Sequence, residues 1–281
     1  MEEQLGLKFG CLSLVGYELK YKIETKTFYT LTPGTKCEGL ILYDDNLEHL
    51  LYTDSSRPSV VMVRAGSVVK RITDVTNPRG CCRLKGPRTG GFAVADTGSK
   101  RTVILDEELQ TISSYCDPNT LPTSVCSTSG GNLLDFDKYN NTMRLFDVRI
   151  FTKPTIEIKL VSGMAGYNFG TISHLTCHPT KDVLYFTDPE NHVVVIYDMR
   201  FPMVHSVVNP HFQGITSCAV NATDQIYFCH EKQNMVSMVG PNTVLNKTWA
   251  IPSKRLGMID INTHGQVGVV DMDANRVVFL N

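Results

Sequence analysis

Six short segments of this chain share one pattern. An apolar run closes on a polar residue, a polar turn follows, and a second apolar run begins. The closing residues are Asp54, Asp96, Asp137, Asp188, His230 and Asp271, at steps of 42, 41, 51, 42 and 41 residues. Six positions beyond each stand Val60, Thr102, Met143, Val194, Val236 and Val277. Eight positions beyond stand Met62, Ile104, Leu145, Ile196, Met238 and Phe279. These alternate with other side chains, so each run reads as a strand with one face in a core. A strand unit repeated every ~40 residues cannot bury its apolar surface alone and must stack on its neighbours.

That period is the signature of a β-propeller blade. The expected fold is all-β: one six-bladed β-propeller over residues 1–281, with blades at about 36–72, 77–115, 121–161, 172–208, 214–251 and 256–281. The last blade runs out after three strands. Thr25 to Thr32 lies just before the first inner strand, so the N-terminal region, residues 1–35, is expected to supply the missing outer strand. Such closure leaves no free edge between first and last blades. The long step between blades three and four places extra length within Phe151–Pro154 and Ser162–Gly170. Asp135 and Asp137 make the second strand of blade three the least regular copy.

Composition narrows the function classes. Hydrophobic residues are 42% and charged residues 20%, which suits a folded globule with a sizeable core. The net charge of −1 excludes bulk basicity as a route to nucleic acid, though not a local basic face. No apolar run approaches the ~18 residues that span a bilayer, and no membrane partner is expected. The opening Met1-Glu2-Glu3-Gln4 is acidic where a secretory leader would be basic. Nine cysteines, several inside strand patterns, suggest free thiols in a reducing compartment. The expectation is therefore a cytoplasmic, monomeric domain. The sequons at Asn140, Asn221 and Asn246 point the other way.

The blade unit is apolar-x-apolar-Asp, a polar turn with Asn or His, then Val-x-apolar. It resembles the NHL repeat, most closely in Leu184–Asp198, Gly91–Leu105 and Gly265–Leu280. The resemblance implies the C-terminal propeller of a TRIM-type E3 ubiquitin ligase, a non-catalytic recognition module whose ligase domains lie elsewhere. Leu51-Tyr52-Thr53-Asp54 and Tyr185-Phe186-Thr187-Asp188 also resemble the YWTD repeat of extracellular receptor propellers. A third alternative is a lactonase-type hydrolase with an axial metal, for which Glu38, Asp44 and Asp260 are the available acids.

In a propeller, the second-to-third-strand turns and the connections into inner strands share one face. Collected there are Arg57, Arg79, Lys100, Arg101, Lys138, His192, Lys232, Lys254, Arg255 and Arg276. Tyr139, Tyr167, Phe169 and Phe212 stand near them. Cations for phosphate and flat rings for unstacked bases suit single-stranded RNA, and the same face suits a protein substrate. Cys126, Cys177 and Cys218 fall on inner strands, with Cys81 and Cys82 nearby. Small apolar residues fit where inner strands crowd, and that packing reading is preferred to a soft-metal ring. The spacing of His174, Cys177 and His178 is equally poor for a shared ion, so no cofactor is expected. The repeated Asp is read as a turn-fixing residue that accepts backbone N–H groups.

Overall fold

The computed structural model describes residues 21–22, 26–42, 49–85, 90–160, 169–200, 203–208, 213–241 and 245–280. Two strands precede the first blade, β1 (Tyr21–Lys22) and β2 (Lys26–Thr30). Blade one is β3 (Cys37–Leu42), β4 (His49–Asp54), β5 (Ser59–Arg64) and β6 (Ser67–Ile72). Blade two is β7 (Pro78–Arg83), β8 (Phe92–Asp96), β9 (Arg101–Leu105) and β10 (Thr111–Cys116). Blade three is β11 (Pro122–Ser127), β12 (Leu133–Asp137), β13 (Thr142–Phe146) and β14 (Ile156–Lys159). Blade four is β15 (His174–Cys177), β16 (Val183–Asp188), β17 (Val193–Asp198) and β18 (Met203–Val208). Blade five is β19 (Ile215–Val220), β20 (Ile226–His230), β21 (Met235–Val239) and β22 (Leu245–Ala250). Blade six has β23 (Leu256–Ile261), β24 (Val267–Asp271) and β25 (Arg276–Leu280).

The fourth strand of blade six is β2, antiparallel to β25 with Lys26 opposite Phe279 and Thr30 opposite Arg276. The expected all-β, six-bladed propeller closed by its N-terminal strand is the fold. One addition was not anticipated. β1 lies parallel to β22, Tyr21 opposite Trp249, as a fifth strand on blade five.

The apolar core is divided among the six seams between neighbouring blades. Leu50, Tyr52, Val61 and Val63 pack towards blade six, with Val270, Val277 and Phe279. Leu51, Val60 and Met62 alternate with them and pack towards blade two, with Phe92, Val94 and Val103. The middle strands therefore bury both faces, not the single face that alternation suggests, because each sheet is sandwiched between two others. Each fully buried Leu or Val contributes roughly 1.5–3 kcal/mol.

The turns explain the repeated polar residues. Asp54, Asp96, Asp188 and Asp271 have no exposed surface and Asp137 almost none. Oδ1 of Asp54 accepts from the backbone N–H of Lys36 at 3.1 Å and of Ser56 at 3.0 Å. Oδ1 of Asp137 accepts from Leu121 at 2.7 Å and Tyr139 at 3.0 Å. Each Asp thus ties its own turn to the chain entering the inner strand, as the sequence suggests. Four positions after the repeated residue, Lys100, Asn141, His192, Asn234 and Asn275 have φ of 50–57°. Asn tolerates that left-handed conformation best among residues with a Cβ, which accounts for its recurrence.

Inner strands β3, β7, β11, β15, β19 and β23 pack in succession around the axis. They approach so closely that a Cβ on Gly80 would stand 2.7 Å from Ser124 Cα. Cys126 Sγ and Cys177 Sγ lie 2.7 Å apart on neighbouring inner strands, both buried.

Candidate functional site at the axial mouth

The inner strands enter the ring through a repeated irregularity. Strand pairing slips between Cys37 and Gly39, Pro78 and Cys81, Pro122 and Ser124, Ile215 and Ser217, and Leu256 and Ile259. A bulge re-aims the residue it inserts. The inserted residues include Glu38, Arg79, Thr123, Thr216 and Gly257, and Ser173 holds the corresponding place ahead of β15. All six line one cavity of about 220 Å³ at the mouth of the axis.

Sequence reasoning missed this ring as a unit. It lies 14 to 17 residues before the repeated polar residue, at an offset that varies from blade to blade. The signal was present at the start of each inner strand, but a fixed-register alignment blurs it.

Turns and inner-strand entrances add charge to the mouth. Lys36, Arg79, Lys138 and Arg255 line the cavity against two carboxylates, Glu38 and Glu231, an excess of two positive charges. Lys36 Nζ lies 2.9 Å from Glu38, Arg79 Nη1 lies 3.8 Å from the same carboxylate, and Arg255 Nε lies 2.7 Å from Glu231. Ser173 Oγ donates to the Thr216 carbonyl at 3.0 Å, and Thr216 Oγ1 to the Gly257 carbonyl at 3.4 Å. Those hydroxyls join blade to blade. Arg79 Nε and Thr123 Oγ1 differ, being buried without a hydrogen-bond partner among the described residues. A buried donor left unpaired costs about 1–3 kcal/mol, and both residues line the cavity.

The other sequence-predicted site residues sit further out. Arg57 donates to the Pro33 carbonyl at 2.5 Å and Lys100 to the Pro118 carbonyl at 2.7 Å. Arg101 Nε lies 3.1 Å from Asp96 and Arg276 Nε 2.9 Å from Asp271. Burial pushes the Asp96 carboxyl up, but hydrogen bonds from Asn77, Ser99, Thr76 and Arg101 outweigh it and hold the group below its ordinary value. His192 occupies a left-handed turn position, Lys232 packs over Gly214, and Lys254 is exposed. Tyr139 is 76% exposed beside Lys138, whereas Phe169 stacks 5.6 Å from Phe186 within the blade-four core. Tyr167 and Phe212 lie outside the described residues, as does Asp44. Of the residues proposed from sequence, the structure brings Arg79, Lys138 and Arg255 together.

Lower on the axis, burial pushes the Asp260 carboxyl up to about 7 although it accepts from the Leu42 N–H at 2.8 Å. Among the described residues, no three His, Cys, Asp or Glu side chains converge as a metal ion would require.

No family model matches this chain, and no curated protein sequence matches it. Solved structures do. A virginiamycin B lyase from Staphylococcus aureus, with selenomethionine, is similar at a TM-score of 0.62 and 14% identity, over 88% of this chain and 81% of that one. A streptogramin B lyase gives 0.62 and 13%, over 89% and 80%. A catalytically inactive histidine-to-alanine variant of the S. aureus enzyme with quinupristin gives 0.63 and 14%, over 88% and 81%. These neighbours are lyase propellers rather than NHL domains of TRIM ligases. They also correct the expectation of a non-catalytic module, because the propellers this chain is similar to are enzymes and the fold therefore does not imply a non-catalytic role. At 13–14% identity the likeness establishes the architecture: a six-bladed propeller of the kind on which streptogramin lyases are built.

Proposed function

We propose that this propeller receives an anionic group of its ligand at the axial mouth. Arg79 and Thr123 supply hydrogen bonds, and Lys138 supplies charge. The observation that carries this reading is the pair of buried, unpartnered polar atoms, Arg79 Nε and Thr123 Oγ1, in a cavity with two excess positive charges. A carboxylate or phosphate would bond the exposed part of the Arg79 guanidinium, and charge-assisted hydrogen bonds of this type are the strong ones.

A protein substrate suits this mouth better than single-stranded RNA. RNA needs several free cations along a groove and aromatic faces for stacking. Arg101 and Arg276 are engaged with carboxylates, Arg57 and Lys100 with carbonyls, and Phe169 with the core. Tyr139 beside Lys138 is the exposed ring that remains among the described candidates.

The fold neighbours support a second reading, elimination chemistry on a ligand held at the same mouth. One neighbour is inactive as a histidine variant. Here no histidine lines the cavity among the described residues, so proton abstraction would fall to Glu38 or Glu231.

Thermal denaturation in chloride against phosphate and acetate tests the first reading. Either anion should raise Tm in the wild type and not in Arg79→Met/Lys138→Met; no rise with either removes the proposal. Fluorescence polarisation with a randomised single-stranded RNA pool at two salt concentrations tests RNA. Salt-sensitive binding lost on reversing Arg57, Arg101 and Lys100 to Glu would restore it. Chromatography of quinupristin after incubation with the protein tests the lyase reading, which an unchanged elution profile would overturn.

A further inference from the structure

The axial mouth is divided, and the division specifies its ligand more closely than charge does. On the side of blades one to three it presents Lys36, Glu38, Arg79, Thr123 and Lys138, with the unpartnered polar atoms of Arg79 and Thr123. On the side of blade six it presents Leu256, Gly257, Met258 and Met272, with Arg255 just ahead of them held by Glu231 at 2.7 Å. Met258 and Met272 are partly buried and continue the apolar seam between blades six and one. Blade six alone places a glycine in the ring of inserted residues. A Cβ on Gly257 would stand 3.0 Å from both Cγ and Sδ of Met272, so the thioether lies directly over the missing side chain. The hydroxyls between the two halves, Ser173 and Thr216, are engaged in blade-to-blade bonds.

We infer that the mouth binds an apolar carboxylic acid, its carboxylate on Arg79 and Thr123 and its hydrocarbon group on Met258 and Met272. This rests on the anion-binding reading above and adds the apolar half. Methionine suits such a surface because its flexible, polarisable side chain adapts to different hydrocarbon shapes. Size points the same way. Pockets that enclose a whole drug-sized ligand run from about 300 to 1,000 Å³. A cavity of about 220 Å³ takes one terminal group. That chemistry has two sources: the free C-terminal residue of a peptide chain and a free small acid.

Isothermal titration with three probes separates the possibilities: N-acetyl-leucine, N-acetyl-leucinamide and inorganic phosphate. N-acetyl-leucine should bind about tenfold or more tighter than either of the others, since loss of a charged partner or of a buried isobutyl group is each worth about that factor. Met258→Ser/Met272→Ser should weaken N-acetyl-leucine about tenfold and leave phosphate unchanged. Gly257→Val fills the apolar half without touching a cation and should give the same split. It serves as the second variant should the double substitution lower Tm. Phosphate binding as tightly as N-acetyl-leucine, unaffected by either variant, would overturn the inference while leaving the anion reading intact. Binding of none of the probes would overturn both. A hexapeptide ending in free Leu that binds more tightly than N-acetyl-leucine, with its amidated form inert, identifies a protein C-terminus. Equal affinity identifies a free acid.

Discussion

At the scale of single residues, the least regular blade holds the most constrained pair. Asp135 and Arg144 are opposite each other on β12 and β13, both buried, and joined by two bonds of 2.8 Å. Thr102 of blade two donates to the same carboxylate at 2.7 Å. An acid that spoils the apolar pattern of a strand is thus one half of an ion pair within blade three, tied across the seam by Thr102. Sequence reading flagged Asp135 but could not see Arg144, because cross-strand register is invisible before the strands are paired. Asp135→Ala should cost about 3–5 kcal/mol, since it strands a buried guanidinium. Replacing both partners, as in Asp135→Leu/Arg144→Met, should recover most of that in urea denaturation. His230 replaces the repeated Asp in blade five and is buried against Ser237 Oγ at 3.1 Å. Burial drives its pKa down to about 4. The unfolded chain then binds a proton the folded chain refuses, so stability present above pH ~6.5 is lost as pH falls towards ~4. His174 adds in the same direction and Asp260 opposes both. The Tm difference between wild type and His230→Gln isolates the effect: it should shift against wild type as pH falls from about 6.5 to about 4.

At the scale of strands, the inner ring sets the tolerance. Gly80 on β7 faces Ser124 Cα and the Thr123 carbonyl on β11, at 2.7 and 3.0 Å from a hypothetical Cβ. Backbone cannot move aside as a flexible side chain can. Gly80→Ala should therefore destabilise by about 1–3 kcal/mol, read as a lowered denaturation midpoint with unchanged slope. The cysteine register has the same origin, with Cys126 against Cys177 where two inner strands meet. The strand periods, turn acids and closing strand were legible in the sequence because each repeats a local rule. The axial site was not. Its residues repeat in position rather than in type: an acid, a cation, three hydroxyl residues and a glycine. Spatial convergence, not composition, makes them a site. Likewise the sequence collects Arg101 and Arg276 on the same face as Arg79. Only the structure shows that the first two are held by Asp96 and Asp271.

At the scale of the whole molecule, stability depends on a ring that must be continuous. Tyr29 and Leu31 are buried at the joint between the first and last blades, and β2 covers the outer edge of β25. Deleting residues 1–32 uncovers that edge and removes both buried side chains. The expected loss is roughly 4 kcal/mol, a fall in Tm of roughly 10 °C by calorimetry; an unchanged Tm would show that the ring closes without β2. The same joint governs how the chain is made. During translation β2 leaves the ribosome some 250 residues ahead of β25, its partner. Blades one to five can form in order as they emerge, but β2 waits without its partner while they do. The nascent protein therefore carries an open sheet edge until β25 is released.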